Sequence, residues 1–373
     1  MTGAADLDGA SAKHLAGKMK MEQKRSFAPS SAGKSPGFEA GSRLWIQQLP
    51  QLWRMDSLKA FLRVSIPVIL LAAAASASAA QLSTDARTAI PHDVQQLVAI
   101  DYHAMENSTS AMDLRNRVMP PELKRFEEAL HKSGLNENHD VEQLAFALFR
   151  PKNEGEQLDT VGVAQGQFSV QDIIANFRKQ KLKPTLVRTN KVYPLAKTGM
   201  VVCFVDPSTM VFGAKDAVGK ALDARDGVTP SLLTNGPMMD AMKTVDSEPL
   251  WSILDQKGTQ TMMRQVLGEA GSVTDFETVR KRLLASWYSM DFQHGVKFDL
   301  TISTGDSFAA TTISSLLTAA LMVRKMSGSS AEKQALSATS IASDSGRLSI
   351  HFATSDEEFN SLLQSPLFQG MVH

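Results

Sequence analysis

From Val94 onward, the hydrophobic residues of the chain recur with two different spacings, one typical of strands and one typical of helices. Apolar residues at every second position predict strands over Glu142–Arg150 and Leu158–Phe168, which lie on either side of a polar turn. Apolar residues at every third or fourth position predict a helix from Pro121 to Lys132 and others like it further along. Because hairpin-spaced strands are interleaved with amphipathic helices, the pattern predicts an α+β fold with antiparallel sheets and helices packed on one face.

The predicted elements fall into two runs with the same order. A loop at Asp226–Pro230 separates them, and each run consists of a strand, two helices, a hairpin, a helix, further strands and a helix. We therefore predict two consecutive α+β domains, residues 81–228 and residues 229–373. The residues of the two runs align only as strands, for example 162–168 with 296–302, so a structural duplication is a hypothesis drawn from order alone.

The longest predicted helix, Ser307–Met326, has no charged residue from Ser307 to Val323. These 17 residues approach the lower limit for a membrane-spanning helix, but many of them are Ser, Thr or Ala, which weakens insertion. Burial between the two halves or against a sheet is the favoured interpretation, and contact with a membrane surface or a partner protein is the alternative. The candidate partner-binding residues on this helix are Ile313, Leu317 and Leu321.

An export signal is predicted within residues 55–80. Lys59 and Arg63 give it a positive start, and Val64–Ala75 forms an uncharged apolar run. Small residues then offer a cleavage region to signal peptidase, at Ala77, Ala79 and Ala80. The predicted product is a periplasmic or secreted body. The alternative is an uncleaved single-span anchor in the inner membrane, although the apolar run is shorter than the roughly 20 residues that a bilayer needs.

Residues 1–54 precede this signal, whereas an export signal normally begins a chain. They are rich in Gly, Ala, Ser and Lys and show no hydrophobic periodicity before Leu44, which predicts a disordered leader. A mis-assigned translation start, with Met55 as the true one, would explain the leader, and a cytoplasmic tail ahead of an anchor is the alternative. Ala28–Ser35 matches the loosest phosphate-binding loop pattern, but Pro29 lies inside it and its flanks are neither strand nor helix, so we assign it no function.

Charge and cysteine content narrow the partners and the compartment. The chain has 39 basic and 39 acidic residues, but residues 1–80 hold 10 of the basic and 5 of the acidic ones. The remaining body is mildly acidic, with 29 basic and 34 acidic residues, which argues against nucleic acid as a partner. Cys203 is the only cysteine, so the body cannot form an internal disulfide, and we interpret this residue as a small buried thiol.

Candidate catalytic groups are few and scattered. Asp101 and His103 are predicted on one side of a strand, as an acid–imidazole pair would be, but that side is expected to face solvent. His131, His139 and Asp140 surround a loop and are interpreted as exposed loop residues. We predict no catalytic residue, no metal site and no cofactor. The body therefore fits a non-enzymatic envelope protein of binding or structural type, with a protein or lipid partner, better than a hydrolase-like enzyme with a dispersed site.

Three short phrases in the first half give the chain a resemblance at the level of pattern. They are Gly166-Gln-Phe168, Lys191-Val-Tyr193 and Gly213-Ala-Lys-Asp216, separated by predicted helices and strands. In this order they resemble uncharacterised exported bacterial proteins built from recurring α+β units. The resemblance covers residues 94–225, and the second half lacks a Val-Tyr equivalent. It implies a bacterial exported protein but no activity, so no functional residue is carried over.

Overall fold

The computed structural model describes residues 81–119, 121–149, 159–195, 199–267 and 279–365. The predicted leader and export signal, residues 1–80, lie outside these ranges. The predicted cleavage residues Ala77, Ala79 and Ala80 belong to this segment and therefore also lie outside the described residues.

The first half contains seven strands and seven helices among the described residues. In chain order they are α1 (Thr84–Thr88), β1 (Val94–Asp101), α2 (Tyr102–Glu106), α3 (Thr109–Val118), α4 (Pro121–His131), α5 (Glu137–Asp140), β2 (Val141–Phe149), β3 (Asp159–Gly166), α6 (Val170–Lys179), β4 (Thr185–Val187), β5 (Asn190–Pro194), β6 (Met200–Phe204), β7 (Thr209–Ala214) and α7 (Lys215–Arg225).

The second half begins with a short 3-10 helix and repeats the alternation of strands and helices. Its elements are the 3-10 helix Leu232–Thr234, α8 (Gly236–Met242), β8 (Leu250–Leu254), α9 (Gln256–Leu267), β9 (Leu283–Asp291), β10 (Val296–Thr304), α10 (Ser307–Ser327), α11 (Ser330–Ser337), β11 (Thr339–Asp344), β12 (Arg347–Thr354) and α12 (Asp356–Leu363).

Side-chain caps fix where several helices begin. The side chain of Asp101 accepts a hydrogen bond from the backbone N–H of Ala104 at the start of α2, at 2.9 Å. Ser108 does the same for the N–H of Ala111 in α3, at 3.2 Å. Each cap satisfies an N–H group that has no partner within its own helix, so the local sequence decides these boundaries.

The described strands form one antiparallel sheet. Its order is β11-β12-β10-β9-β8-β1-β2-β3-β7-β6-β5-β4. The antiparallel pairing of β1 with β8, in which Val98 lies opposite Ser252, joins the two halves. The predicted α+β fold with antiparallel strands is confirmed. The sheet continues across the predicted boundary between residues 228 and 229, and the division into two domains stays a prediction.

The two halves share one strand order. From the central junction outward, the first half runs β1-β2-β3-β7-β6 and the second runs β8-β9-β10-β12-β11. In both runs a single strand is followed by one hairpin and then by a second hairpin. In the second hairpin the strand that comes later in the chain, β7 or β12, lies nearer the central junction than its partner, β6 or β11. This agreement supports the duplication hypothesis at the level of topology. The first half alone adds β5 and β4 outside its last shared strand.

One face of the sheet, here called the near face, carries a core that runs through both halves. Val98 and Ile100 of β1 and Leu250 and Leu254 of β8 belong to it. The helices that contribute buried residues to this core are α2, α3, α4, α6, α9, α10 and α12. Burial of these apolar side chains is the main force that holds the helices on the sheet.

The opposite face, here called the far face, is covered mainly over the first half, so helices pack there on both faces of the sheet and not on one face as predicted. Leu97 and Ala99 of β1 join buried residues of α1, α7 and α8 there, because the central strands are apolar at successive positions. The last helices of the two halves differ, since α7 packs on the far face and α12 on the near face. Exposed polar residues consequently line the far face of β11 and β12, for example Ser340, Ser349 and His351.

Candidate partner-binding surface

Helix α10 begins at a fixed point beside the end of β10. The carboxylate of Asp306 accepts a hydrogen bond from the N–H of Ala309 at 2.9 Å, which caps the helix. The guanidinium of Arg282 donates to the same carboxylate at 2.8 Å. The backbone bond from Ala309 and the Arg282 side chain hold the pKa of Asp306 below its ordinary value. The carboxylate is therefore stabilised in its charged form at the positive end of the helix.

The inner side of α10 packs against the sheet. Ala309, Ala310, Ile313 and Leu317 are buried on this side. Their spacing of three and four residues places them on one stripe, which contacts β10, β11 and β12. This stripe accounts for the apolar residues that a sheet-covering helix needs.

The opposite stripe of α10 is exposed and uncharged. It consists of Phe308, Thr311, Ser315, Ala319, Met322 and Met326, and we call it the α10 outer side. Three of these side chains are large and apolar, with exposures of 67% for Phe308, 63% for Met322 and 83% for Met326. A helix that is apolar on all sides is normally buried on all sides, whereas an exposed helix face normally carries charges. The α10 outer side departs from both expectations.

Two hydroxyl groups of this helix are turned toward its own backbone. Thr312 donates to the carbonyl of Phe308 at 2.8 Å, and Ser315 donates to the carbonyl of Thr311 at 2.9 Å. Hydroxyl hydrogens used in this way are not available to solvent or to a ligand. Ser315, which belongs to the α10 outer side, is therefore less polar toward solvent than a free serine.

Cationic groups lie at the two ends of the stripe. The guanidinium of Arg282 stands 5.8 Å from the ring centroid of Phe308, within range of a cation–π contact. Lys325 is exposed in the last turns of the helix. The stripe is therefore uncharged in its middle, with the Arg282–Asp306 ion pair near its first end and Lys325 near its last.

The residues predicted from sequence as partner-binding lie elsewhere on the same helix. Ile313 is 0% exposed and Leu317 is 7% exposed, and both belong to the near-face core. Leu321 is partly buried. The sequence predicts the most apolar stripe of the helix as the partner-binding surface. In the structure this stripe packs against the sheet.

Sequence reasoning missed Phe308, Met322 and Met326. The available signal was their spacing, because they lie half a turn away from the stripe that holds Ile313 and Leu317. With apolar residues on every side of the helix, the pattern alone does not decide which stripe faces the sheet.

The polar candidates do not assemble into a reactive group. Asp101 is the last residue of β1 and caps α2, while His103 lies within α2, so the predicted strand pair is wrong. The imidazole Nδ1 of His139 lies 3.1 Å from a carboxylate oxygen of Asp140 on the surface. Within the described ranges, no group of three or more His, Cys, Asp or Glu side chains could hold a metal ion.

The remaining titratable groups have structural explanations. Burial raises the pKa of the Cys203 thiol to about 11, which makes it a poor nucleophile near neutral pH. Burial first, and then the charges of Asp291 and Asp299, raise the pKa of Glu248. His351 Nδ1 lies 2.7 Å from a carboxylate oxygen of Asp299 on the exposed far face. None of these three arrangements places a nucleophile beside a base.

A shallow depression of about 410 Å³ lies on the surface of α4. It is lined by Glu127, Glu128, His131 and Lys132. Glu127 is engaged with the guanidinium of Arg115, and all four lining residues come from consecutive turns of one helix and the residue after it. Among the described residues, the depression therefore does not bring together groups from different parts of the fold, as an enzyme pocket usually does.

The fold and this surface define an α+β protein with one long antiparallel sheet and an exposed apolar helix side. None of the helices in the described part of the chain has the length and apolar character needed to cross a membrane.

Comparison with solved structures gives a weak similarity to a bacterial protein. TP0453 of Treponema in its crystal form I aligns with 79% of this chain and 100% of its own, with a TM-score of 0.44 and 12% identity. Crystal form III of the same protein aligns with 75% of this chain and 98% of its own, with a TM-score of 0.43 and 10% identity. No protein-family model and no curated protein matches the sequence.

Proposed function

We propose that this chain is an exported protein of the bacterial envelope that acts by binding a partner, and that the α10 outer side is the contact surface. The observation that carries this proposal is a 21-residue helix whose solvent-facing side has no charge over most of its length. Such a helix spans about 30 Å, enough for an extended contact.

Energetics supports a partner at this surface. Complete burial of a large apolar side chain is worth roughly 1.5–3 kcal/mol, and three such side chains are exposed in one row here. Phenylalanine and methionine are also enriched where proteins meet, because a ring gives a rigid contact and a thioether adapts to an irregular surface. A partner that covers Phe308, Met322 and Met326 would recover much of this energy.

The chemistry of the partner follows from the same stripe. A second protein with an apolar groove fits it, and so does the surface of a lipid membrane, whose apolar interior would take up the three large side chains while its anionic head groups contact Lys325. A vesicle-binding assay and crosslinking in cells distinguish these two partners.

Export rests on the sequence of residues 55–80, which has the positive start, apolar run and small-residue end of a signal peptide. The absence of disulfide-forming cysteine pairs is compatible with a periplasmic body. An uncleaved anchor that holds the same body at the inner membrane is the second candidate. The mature N-terminus, determined by mass spectrometry on the envelope fraction, separates the two.

Catalysis is less well supported than binding. Asp101 is engaged as a helix cap, the Cys203 thiol is buried, and the His351–Asp299 pair lies on an open sheet face. A hydrolase needs a nucleophile, a base and a pocket that converge. The described residues offer these groups only far apart.

The decisive experiment compares surface variants of the full chain. Phe308→Asp combined with Met322→Asp places charges on the α10 outer side without touching the core, and we expect capture of the partner to fall at least tenfold. Ser361→Asp, on the exposed side of α12, is the matched control and should bind normally. Thermal unfolding of all variants checks that the fold is intact.

Two assays identify the partner class. Flotation with phosphatidylglycerol vesicles reports lipid binding, and crosslinking in intact cells followed by mass spectrometry reports a protein. Loss of one signal in the double variant, with the control unchanged, would assign the partner. If both signals are the same in the double variant and the unmodified chain, the α10 outer side is not the contact surface.

A further inference from the structure

Strand β11 is an uncovered edge of the sheet. It pairs with β12 on one side, and no strand among the described residues pairs with its other side. The corresponding strand of the first half, β6, is covered on that side by β5, where Tyr193 lies opposite Val202. One half of the molecule therefore carries a covering strand that the other half lacks.

The turn next to β11 shows which backbone groups face outward. Ser345 and Gly346 form a two-residue hairpin loop with φ angles of 47° and 82°, as in a type I′ turn. In such a hairpin the flanking residues, Asp344 and Arg347, form a hydrogen-bonded pair. The bonded pairs then recur at every second residue. The N–H and C=O groups of Thr339, Ile341 and Ser343 consequently point away from β12.

The two ends of the sheet are protected to different degrees. At the far end, β4 has only three residues, follows Pro184 and is followed by Arg188 with a positive φ of 54°. Short length, proline and charge are devices that keep an edge from pairing with another chain. Strand β11 has six residues, no proline, no lysine and no bulge in its pairing with β12. Its sequence is therefore suited to accept another strand.

We infer that β11 pairs antiparallel with β11 of a second copy of this chain, so that the sheet continues from one copy into the other. The precedent is within the molecule, because the antiparallel pairing of β1 with β8 already joins two half-sheets through their edges. Pairing of the same strand in two copies gives a closed two-fold dimer. This inference does not depend on the proposed function of the α10 outer side.

The register follows from the faces of the sheet. A two-fold axis perpendicular to the sheet keeps the near faces of both copies on one side, and this requires opposite residues to have the same orientation. With the axis at Ile341, the outward backbone groups of Ile341 in the two copies exchange hydrogen bonds. Thr339 then lies opposite Ser343, and Ser340 lies opposite Ala342. No two like charges face each other in this register.

The neighbouring helix supplies contact area that an edge strand lacks. A stable interface buries about 1,200–2,000 Å² in total, more than one short strand provides. Helix α10 packs against β11 on the near face, so the two-fold axis places α10 of both copies on the same side of the junction. A second copy is thus the occupant that covers both the strand edge and part of the adjoining helix layer.

The test measures the oligomeric state of the purified full chain by sedimentation velocity over a range of concentrations. We expect a concentration-dependent dimer. Ser340→Lys combined with Ala342→Lys would place lysines opposite each other and should raise the dimer dissociation constant at least about tenfold. Ser340→Lys combined with Ala342→Glu places opposite charges at the same positions and should keep the dimer. Both positions are exposed on the far face, so the fold tolerates the changes.

A backbone variant provides the second arm. Ser343→Pro removes an outward N–H without removing a bond to β12, and it should dissociate the dimer, while Ser343→Ala should not. Circular dichroism confirms that each variant is folded. A chain that is monomeric at all concentrations would overturn the inference. So would a dimer that is indifferent to Ser343→Pro, or one that the Lys/Lys and Lys/Glu variants weaken equally.

Discussion

Three aromatic rings meet above a glycine in the near-face core of the first half. The rings of Phe126 and Phe212 are stacked with centroids 4.8 Å apart, and Phe146 meets Phe212 edge to face at 5.7 Å. Gly162 lies opposite Phe212 in the pairing of β3 with β7. A Cβ atom at Gly162 would come within 2.2 Å of the Phe212 ring. The glycine is therefore required by the ring that covers it.

The first prediction tests this contact. Gly162→Ala should lower the free energy of unfolding by about 1–3 kcal/mol, because the ring must leave its stacked position to make room for a methyl group. The matched control is Gly219→Ala in α7, where the nearest atom to the new Cβ is Val187 Cγ1 at 3.9 Å. Alanine in a helix should raise the stability there by about 0.5–1 kcal/mol.

Denaturant unfolding of both variants provides the measurement. Equal stability of Gly162→Ala and the unmodified chain would show that Phe212 adjusts without cost. The requirement at Gly162 was not visible in the sequence, because it comes from a phenylalanine 50 residues further along the chain. Residue-scale predictions that depend on one strand alone, such as the burial of Cys203, were within reach of the sequence.

At the scale of elements, helix starts are the feature that local sequence specifies best. Ser329 with Glu332, and Ser355 with Glu358, form reciprocal capping boxes at α11 and α12. The Ser-x-x-Glu spacing carries this signal in the sequence itself. The cap of α10 is different, because Asp306 depends also on Arg282, which comes from before β9.

The second prediction concerns this cap and its dependence on pH. Because the pKa of Asp306 is lowered in the folded state, its contribution to stability is present above the unfolded value of about 3.9 and is lost as the pH falls through the lower folded value. Asp306→Asn keeps an oxygen acceptor for the Ala309 N–H but no charge. It should be less stable than the unmodified chain at neutral pH and approach it in acid.

Asp306→Ala is the companion variant. It removes both the acceptor and the charge, so it should be the least stable of the three at neutral pH. Thermal unfolding at several pH values between neutral and strongly acid measures the order. A constant difference between the Asn variant and the unmodified chain over this range would contradict the role assigned to the charge.

Helix α10 shows what an element alone leaves undecided. Its apolar residues surround the helix, so either the stripe of Ile313 and Leu317 or the stripe of Phe308 and Met322 could have faced the sheet. The structure assigns the first to the core and the second to solvent. The candidate site could thus be predicted to the level of the helix, but not to the level of its residues.

At the scale of the whole molecule, the junction of β1 with β8 integrates the two halves. The side-chain amide of Gln96 donates to the hydroxyl of Ser252 at 3.2 Å within this buried junction. Burial raises the pKa of Tyr288, on the adjacent strand β9, to about 12. Around these polar groups, the buried apolar residues of the near-face core form one continuous cluster that includes residues of both halves.

A third prediction follows from that continuity. We expect the two halves to unfold together, with one denaturant transition that coincides when followed by far-UV circular dichroism and by tryptophan fluorescence. Trp251 on β8 is buried at the junction and reports on it directly. Trp45→Phe combined with Trp53→Phe removes the tryptophans that lie outside the described residues. Two separated transitions would instead support independently stable domains.

The sequence by itself determined the kinds of elements, most of their order along the chain, several helix caps and the α+β class. It also carries the predicted export signal of residues 55–80. These features are local, because hydrophobic periodicity and capping residues act within a few positions. Only the tertiary structure decided the strand order, the stripe of α10 that faces solvent and the edge left open at β11. These depend on pairings such as Gln96 with Leu254, whose partners are far apart in sequence and whose energy exists only when the whole sheet has formed.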